Sequence, residues 1–218
     1  MGPMVIAGVV IDDKDEKKLK KIGVKDSKLL SPRRREELAK KIEEIAKNIV
    51  VLRVQPCKID SYRAKGINLD KIEAMKMAEI IGMFGAKKVF IDSLEQNAKK
   101  FENLIRSFLN ERDLELIVKN YLDESIPVVS AASIIAKVER DAAIEEIKKK
   151  EGTDFGVGYS HDPRTIEFVE RLIKEGKGKL PSYVRQSWIT TQELKKRSLQ
   201  QKIKDFFKKD EKIKREKV

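Results

Sequence analysis

Residues 127–141, PVVSAASIIAKVERD, constrain the fold of this chain more than any other stretch. A proline opens the segment, and four small residues follow, Ser130, Ala131, Ala132 and Ser133. Side chains of that size let a helix lie very close against a sheet. Lys137, Arg140 and Asp141 stand a turn or two further along the same helix. Asp123 precedes the proline by four residues, in the turn-like stretch YLDES. A closely packed helix with a carboxylate at its mouth and a lysine along its side suits a site that holds a metal or a phosphate.

The rest of the chain alternates strand and helix patterns. Residues 4–11 (MVIAGVVI) form an apolar run that reads as a buried strand, and residues 13–22 read as a short helix stopped by Gly23. Ser31 caps the next helix, with Pro32 at its first position and Leu38, Ile42 and Ile45 as its apolar stripe. Strands are expected at 49–54, 88–92 and 114–119, and Asn68 caps a helix reaching about Phe84. Phe101, Leu104, Ile105, Phe108 and Leu109 mark another helix, and a long one covers 128–150. Asp162-Pro163 starts a helix that Gly176 and Gly178 end, and a last helix runs through Gln192 towards the tail. Residues 199–218 read as loosely ordered in isolation, and there are no internal repeats. The pattern indicates an α/β sheet with helices on both faces.

Composition narrows the class. At 218 residues and 40% hydrophobic content, the chain has enough material for one core plus an appendage. No apolar run approaches the ~20 residues of a membrane span, and the N-terminus lacks a signal-peptide pattern. The single Cys57 excludes an internal disulfide and fits a reducing, cytoplasmic setting. The net charge of +12 is uneven: residues 195–218 hold eleven basic and four acidic residues, hence +7 of it. A basic tail on a mildly basic body suggests a polyanion partner, most simply nucleic acid; a solvated, solubilising tail is the plainer alternative.

Several segments together resemble ribonuclease HII, in particular its archaeal branch. They are residues 2–12 (GPMVIAGVVID), 24–36 (VKDSKLLSPRRRE), 89–93 (VFIDS), 122–141 (LDESIPVVSAASIIAKVERD), 156–165 (GVGYSHDPRT) and 184–188 (VRQSW). The resemblance implies a ribonuclease H-like mixed sheet flanked by helices, with a small C-terminal helical appendage. It also implies an enzyme that cuts RNA in RNA–DNA hybrids and at single ribonucleotides embedded in duplex DNA, leaving a 3′-hydroxyl and a 5′-phosphate. Such chemistry uses carboxylates converging on two divalent ions, Mg²⁺ or Mn²⁺. Asp92 and Asp123 match two of the family's four acidic positions and are expected as catalytic and metal-binding residues. From local sequence alone, Asp92 also fits a helix cap paired with Glu95, and Asp123 a turn residue.

The family's other two acids lie in a strand-and-turn motif, Asp-Glu-Ala-Gly-Arg-Gly, just before the Gly-Pro-Met segment. This chain starts at MGPM. Asp12 and Asp13 follow the 4–11 strand rather than precede it and do not replace the motif. The resemblance therefore implies that the first, central strand is missing, that it belongs between the 4–11 and 88–92 strands, and that Met1 is not the natural start. Its loss is expected to strip hydrogen bonds from both neighbours and open the core.

For substrate contact, the resemblance points to Ser27, Lys28, Lys137 and Tyr159, the last as the residue that reads the sugar at an RNA–DNA junction. Ordinary loop and surface polarity is the plainer reading of the first three. Ser160 and His161 replace the proline and serine that usually follow that tyrosine, and His161 reads as a loop residue. Tyr121 stands where archaeal members usually carry a basic residue, which weakens phosphate attraction there. In the tail, Gln200, Ile203, Phe206 and Phe207 (QQKIKDFF) fit the spacing of peptides that dock on the replication sliding clamp. An amphipathic terminal helix folded on its own core is the alternative. The expected organisation is a catalytic domain at 1–158, a substrate-binding helical region at 159–197 and a clamp-binding tail at 198–218, acting as a monomer. The competing reading is a non-catalytic, clamp-associated nucleic-acid-binding protein.

Overall fold

The computed structural model describes residues 1–24, 27–93, 95–110, 113–176 and 179–215; in its last helix the side chains of residues 202 and 205–215 lie outside the description. The first strand, β1 (Met4–Val10), is followed by a 3₁₀ turn (Asp13–Asp15) and α1 (Glu16–Ile22). Gly23, at φ +83°, closes α1 in the left-handed conformation that glycine adopts without steric penalty. In α2 (Pro32–Ile45), the Ser31 hydroxyl accepts the Arg34 N–H at 3.2 Å. Next come β2 (Asn48–Val54), α3 (Pro56–Ala64) and α4 (Leu69–Phe84), the last capped by the Asn68 side chain, which accepts the Lys71 N–H at 2.9 Å. The chain continues with β3 (Lys88–Asp92), α5 (Ala98–Arg106), β4 (Glu115–Lys119), the single turn α6 (Leu122–Ser125) and α7 (Pro127–Glu151). Two helices finish it, α8 (Pro163–Glu175) and α9 (Ile189–Arg215).

Three elements depart from the sequence reading. Pro56 does not merely end a strand; it occupies the first turn of α3, where its missing N–H costs nothing. Asp123 lies in a helical turn, α6, rather than in a bare turn. The tail is not loosely ordered at 199–215, because α9 runs unbroken to Arg215. That helix contains neither proline nor glycine and is rich in Lys, whose straight chain loses little rotamer freedom in a helix.

The strands form two separate pairs. β1 and β2 are antiparallel, from Met4↔Val54 to Val10↔Asn48, and β3 and β4 are parallel, from Lys88↔Glu115 to Asp92↔Lys119. Among the described residues no ladder joins β1 to β3. The mixed sheet expected from sequence is thus present in two pieces, divided where the missing strand was expected.

Two helices bridge the division. Alternation along β1 sends Met4 and Ile6 to one side, against Ile72 and Ile80 of α4, and Ala7 and Val9 to the other, against Ala131, Ile134 and Ile135 of α7. The same α4 also packs Ala74, Ala78 and Ile81 with Ile91 of β3 and with Phe101 and Ile105 of α5. At Gly8 the approach is so close that a Cβ would lie 2.5 Å from the Phe84 ring and 2.6 Å from Ile80. A further cluster joins buried Met1 to Ile144 of α7, Phe155, Phe168 and Ile173 of α8, Val184, and Leu194 of α9. Among the described residues no helix is long and apolar enough to cross a membrane.

Candidate active site

Parallel pairing of β3 with β4 sets the geometry at their C-terminal ends. Asp92 faces Lys119 in register, and Ser93 N–H continues the ladder to the Lys119 carbonyl at 2.9 Å. The Asn120 amide then ties the two chain ends together, donating to the Glu95 carbonyl at 2.8 Å and to that of Ser93 at 3.4 Å. Tyr121 follows in the left-handed region, at φ 62° and ψ 30°, the one non-glycine residue with positive φ among those described. This reversal turns the chain so that the Leu122 N–H donates to Asp92 Oδ1 at 2.9 Å. Asp123 comes next, beside Asp92.

The two carboxylates differ in setting. Asp92 is half-buried; burial and the neighbouring Asp123 charge push its pKa up, while the Leu122 and Tyr121 N–H groups and the Lys28 charge pull against them, with a net rise. Asp123 is only 3% exposed, and its Oδ1 is buried without a hydrogen-bond partner. Its Oδ2 lies 3.8 Å from Lys28 Nζ. Ser130 of α7 anchors the turn by donating to the Asp123 carbonyl. Asp92 is not a helix cap, since Asn97 caps α5 by accepting from Lys100 N–H.

A buried carboxylate oxygen with no donor is costly unless something else satisfies it. An orphaned carboxylate oxygen beside a second carboxylate is the donor chemistry that a divalent cation satisfies. Among the described residues no group of three or more His, Cys, Asp or Glu side chains is placed to hold an ion. The pair does not fit a two-ion centre by itself.

The remaining candidate residues line one face of α7. Ser130 meets the Asp123 turn, Ser133 Oγ lies 3.0 Å from Ser27 Oγ, and Lys137 Nζ donates to the Tyr159 hydroxyl at 3.0 Å. These steps of three and four residues keep a single face, and Ser130 to Lys137 spans ~10 Å. Arg140 is buried, with its guanidinium 3.7 Å from the centre of the Tyr159 ring. His161 lies in a turn, its ring nearly parallel to that of Tyr159 at 5.5 Å. Lys137 also pairs with Asp141 at 3.3 Å, so it turns inward along the helix rather than to open solvent.

Sequence reasoning missed the residue that fixes the Ser27–Lys28 loop. Arg35 is buried; one nitrogen donates to the carbonyls of Ser27 (3.2 Å) and Leu30 (2.6 Å), and the other meets Asp141 Oδ2 at 2.9 Å. The signal was present, because Arg35 shares the face of Leu38 and Ile42 at spacings of three and seven. A second anchor holds residues 184–188: the Asp60 carboxylate accepts the N–H groups of Gln186 and Ser187 at 2.9 and 2.8 Å. Arg185 there donates to the Gly2 carbonyl at 3.2 Å, and burial together with the Arg140 charge lowers its pKa to about 10. In the tail, Gln200 and Ile203 are exposed, Ile203 by 48%. Phe206 and Phe207 fall within α9, with side chains outside the described residues.

Comparison with known proteins gives the family. The family model for ribonuclease HII matches residues 1–191. A ribonuclease HII of Caldivirga maquilingensis is 46% identical over 191 residues, covering 87% of this chain and 86% of that protein. Among solved structures, ribonuclease H2 from Pyrococcus horikoshii superposes with a TM-score of 0.81 at 39% identity, covering 90% and 92% of the two chains. The PCNA:RNase HII complex from Archaeoglobus fulgidus gives 0.78 at 40%, covering 89% and 90%. The chain belongs to the ribonuclease HII family of metal-dependent endoribonucleases.

Proposed function

We propose that this chain acts on RNA–DNA hybrids and on ribonucleotides embedded in duplex DNA, hydrolysing the strand to a 3′-hydroxyl and a 5′-phosphate. The observation that carries the proposal is the meeting of Asp92 and Asp123, with an unsatisfied buried oxygen between β3 and α6 and Lys28 at their rim. Ser27 and Lys28 contact the phosphate backbone on this reading, and Lys137 and Tyr159 engage the sugar strand further along α7. A bound Mg²⁺ or Mn²⁺ would neutralise the carboxylate pair and polarise a phosphate oxygen.

Two-ion catalysis requires more carboxylates than this pair. We place them on a strand between β1 and β3, whose facing edges pair with no other strand among the described residues. The chain as given then binds duplex and cleaves it poorly. A cleavage assay on a duplex with one ribonucleotide, in Mg²⁺ or Mn²⁺, tests this against a version extended at the N-terminus by an apolar, acid-bearing strand. Gain of cleavage and of melting temperature in the longer protein is expected; equal activity and melting temperature in the two would sink the idea. Duplex binding without cleavage by either protein would favour a non-catalytic binding role, a reading kept by the lack of a larger acidic cluster among the described residues.

The tail extends the proposal to a partner. Gln200, Ile203, Phe206 and Phe207 lie on successive turns of α9, a spacing suited to a hydrophobic groove on a sliding clamp. The likeness to a protein solved in complex with PCNA supports it. Titration against a clamp should show sharp loss for Phe206→Ala and Phe207→Ala, and unchanged affinity would reject the docking peptide.

A further inference from the structure

Tyr121 joins two properties that a fold alone does not require together. Its backbone adopts a left-handed conformation, which disfavours most residues with a Cβ; glycine escapes the clash and asparagine offsets it by local hydrogen bonding. Its side chain is 69% exposed, and among the described residues its ring and hydroxyl meet no other ring or hydrogen-bonding group. The reversal at Tyr121 is needed to aim backbone N–H groups at Asp92, but the turn needs only the backbone. The ring is mostly exposed, and its residue stands two positions before Asp123, with its backbone N–H directed at Asp92.

We infer that the Tyr121 ring is a stacking platform for a nucleotide of the strand that crosses Asp92 and Asp123. An aromatic face packs equally on a base or on the apolar face of a sugar, adding affinity that does not depend on charge. Lys28, 3.8 Å from Asp123, supplies the charged contact, so the two residues divide recognition into a salt-sensitive and a salt-insensitive part. The inference rests on the nucleic-acid reading above.

Fluorescence-anisotropy titration of the full chain with a labelled duplex carrying one ribonucleotide, in chelator and at several salt concentrations, tests it. Tyr121→Phe keeps the ring and should bind within about twofold of wild type. Tyr121→Asn removes the ring but tolerates the backbone; it should bind about tenfold more weakly, with the same salt slope and a melting temperature at or above wild type. Replacing the local nucleotide by an abasic one separates stacking on a base, which then disappears, from stacking on a sugar, which persists. Wild-type affinity in Tyr121→Asn, a changed salt slope, or a lowered melting temperature that reveals a packing role would each overturn the inference. If the unmodified chain binds no duplex, the nucleic-acid reading falls and this inference with it.

Discussion

Glu73 on α4 carries a clear pH signature. Burial, with Asp70 nearby, raises its pKa from 4.5 to about 7 against the opposing pull of Arg185. A raised acid holds its proton more tightly folded than unfolded. This contribution to stability is therefore present at low pH and is lost as pH rises from 4.5 through about 7, a difference of at most ~3 kcal/mol. Glu73→Gln mimics the protonated form. Denaturant titration should find the variant close to wild type near about pH 5 and more stable by ~2–3 kcal/mol near about pH 8. A gap that does not change with pH would refute the assignment. Arg35 makes a second case. Arg35→Met leaves the Ser27 and Leu30 carbonyls without their donor and takes away one of the three cations around Asp141, beside Lys137 and Arg140, and should cost ~2–3 kcal/mol in urea unfolding. Duplex affinity should fall with it, as the Lys28 loop loses its anchor; a wild-type binding curve would show that the loop needs no such support. At this scale the sequence was partly legible. Asp92 and Asp123 stand in recognisable motifs, whereas Arg35 is the third of three consecutive arginines and only helical phase singles it out.

Among the elements, the long and capped ones were readable, because Ser31, Asn68 and Asp162 announce their helices and each side chain accepts a backbone N–H as expected. Short α3 and α6 escaped, since one or two turns display too little periodicity to be seen. The division of the strands was legible only through the family resemblance; no local property of β1 or β3 tells whether the two strands pair with each other. It has a measurable consequence. In each strand about half of the amides point away from the existing partner. Hydrogen exchange should find those amides in β1 and β3 poorly protected relative to their alternating neighbours, which bond to β2 and β4. Uniform protection along both strands would mean that the edges are covered.

For the whole molecule, charge placement governs association. Removing residues 195–218 takes +7 from the total of +12 and leaves +5, while the buried Leu194 stays in place. Duplex affinity at low salt should drop at least about tenfold, and the slope of log affinity against log salt should flatten by ~0.9 for each phosphate that the tail no longer neutralises. A slope unchanged by truncation would assign the tail to clamp docking or solubility alone. The division between strand pairs matters at this scale for another reason. Asp92 rides on the β3–β4 pair, whereas Leu30 and the loop bearing Lys28 pack with α1, α2 and β1 on the other. The site therefore spans a joint between the strand pairs, which α4 and α7 bridge and which the Lys28–Asp123 pair also crosses. A strand laid into that joint would act as a spacer, setting how far the carboxylates stand from the phosphate-gripping loop and how stiffly they are held. Its contribution would be measured in alignment as much as in ligands: acidic groups supplied in solution could not substitute for it, because they would leave the joint free to flex.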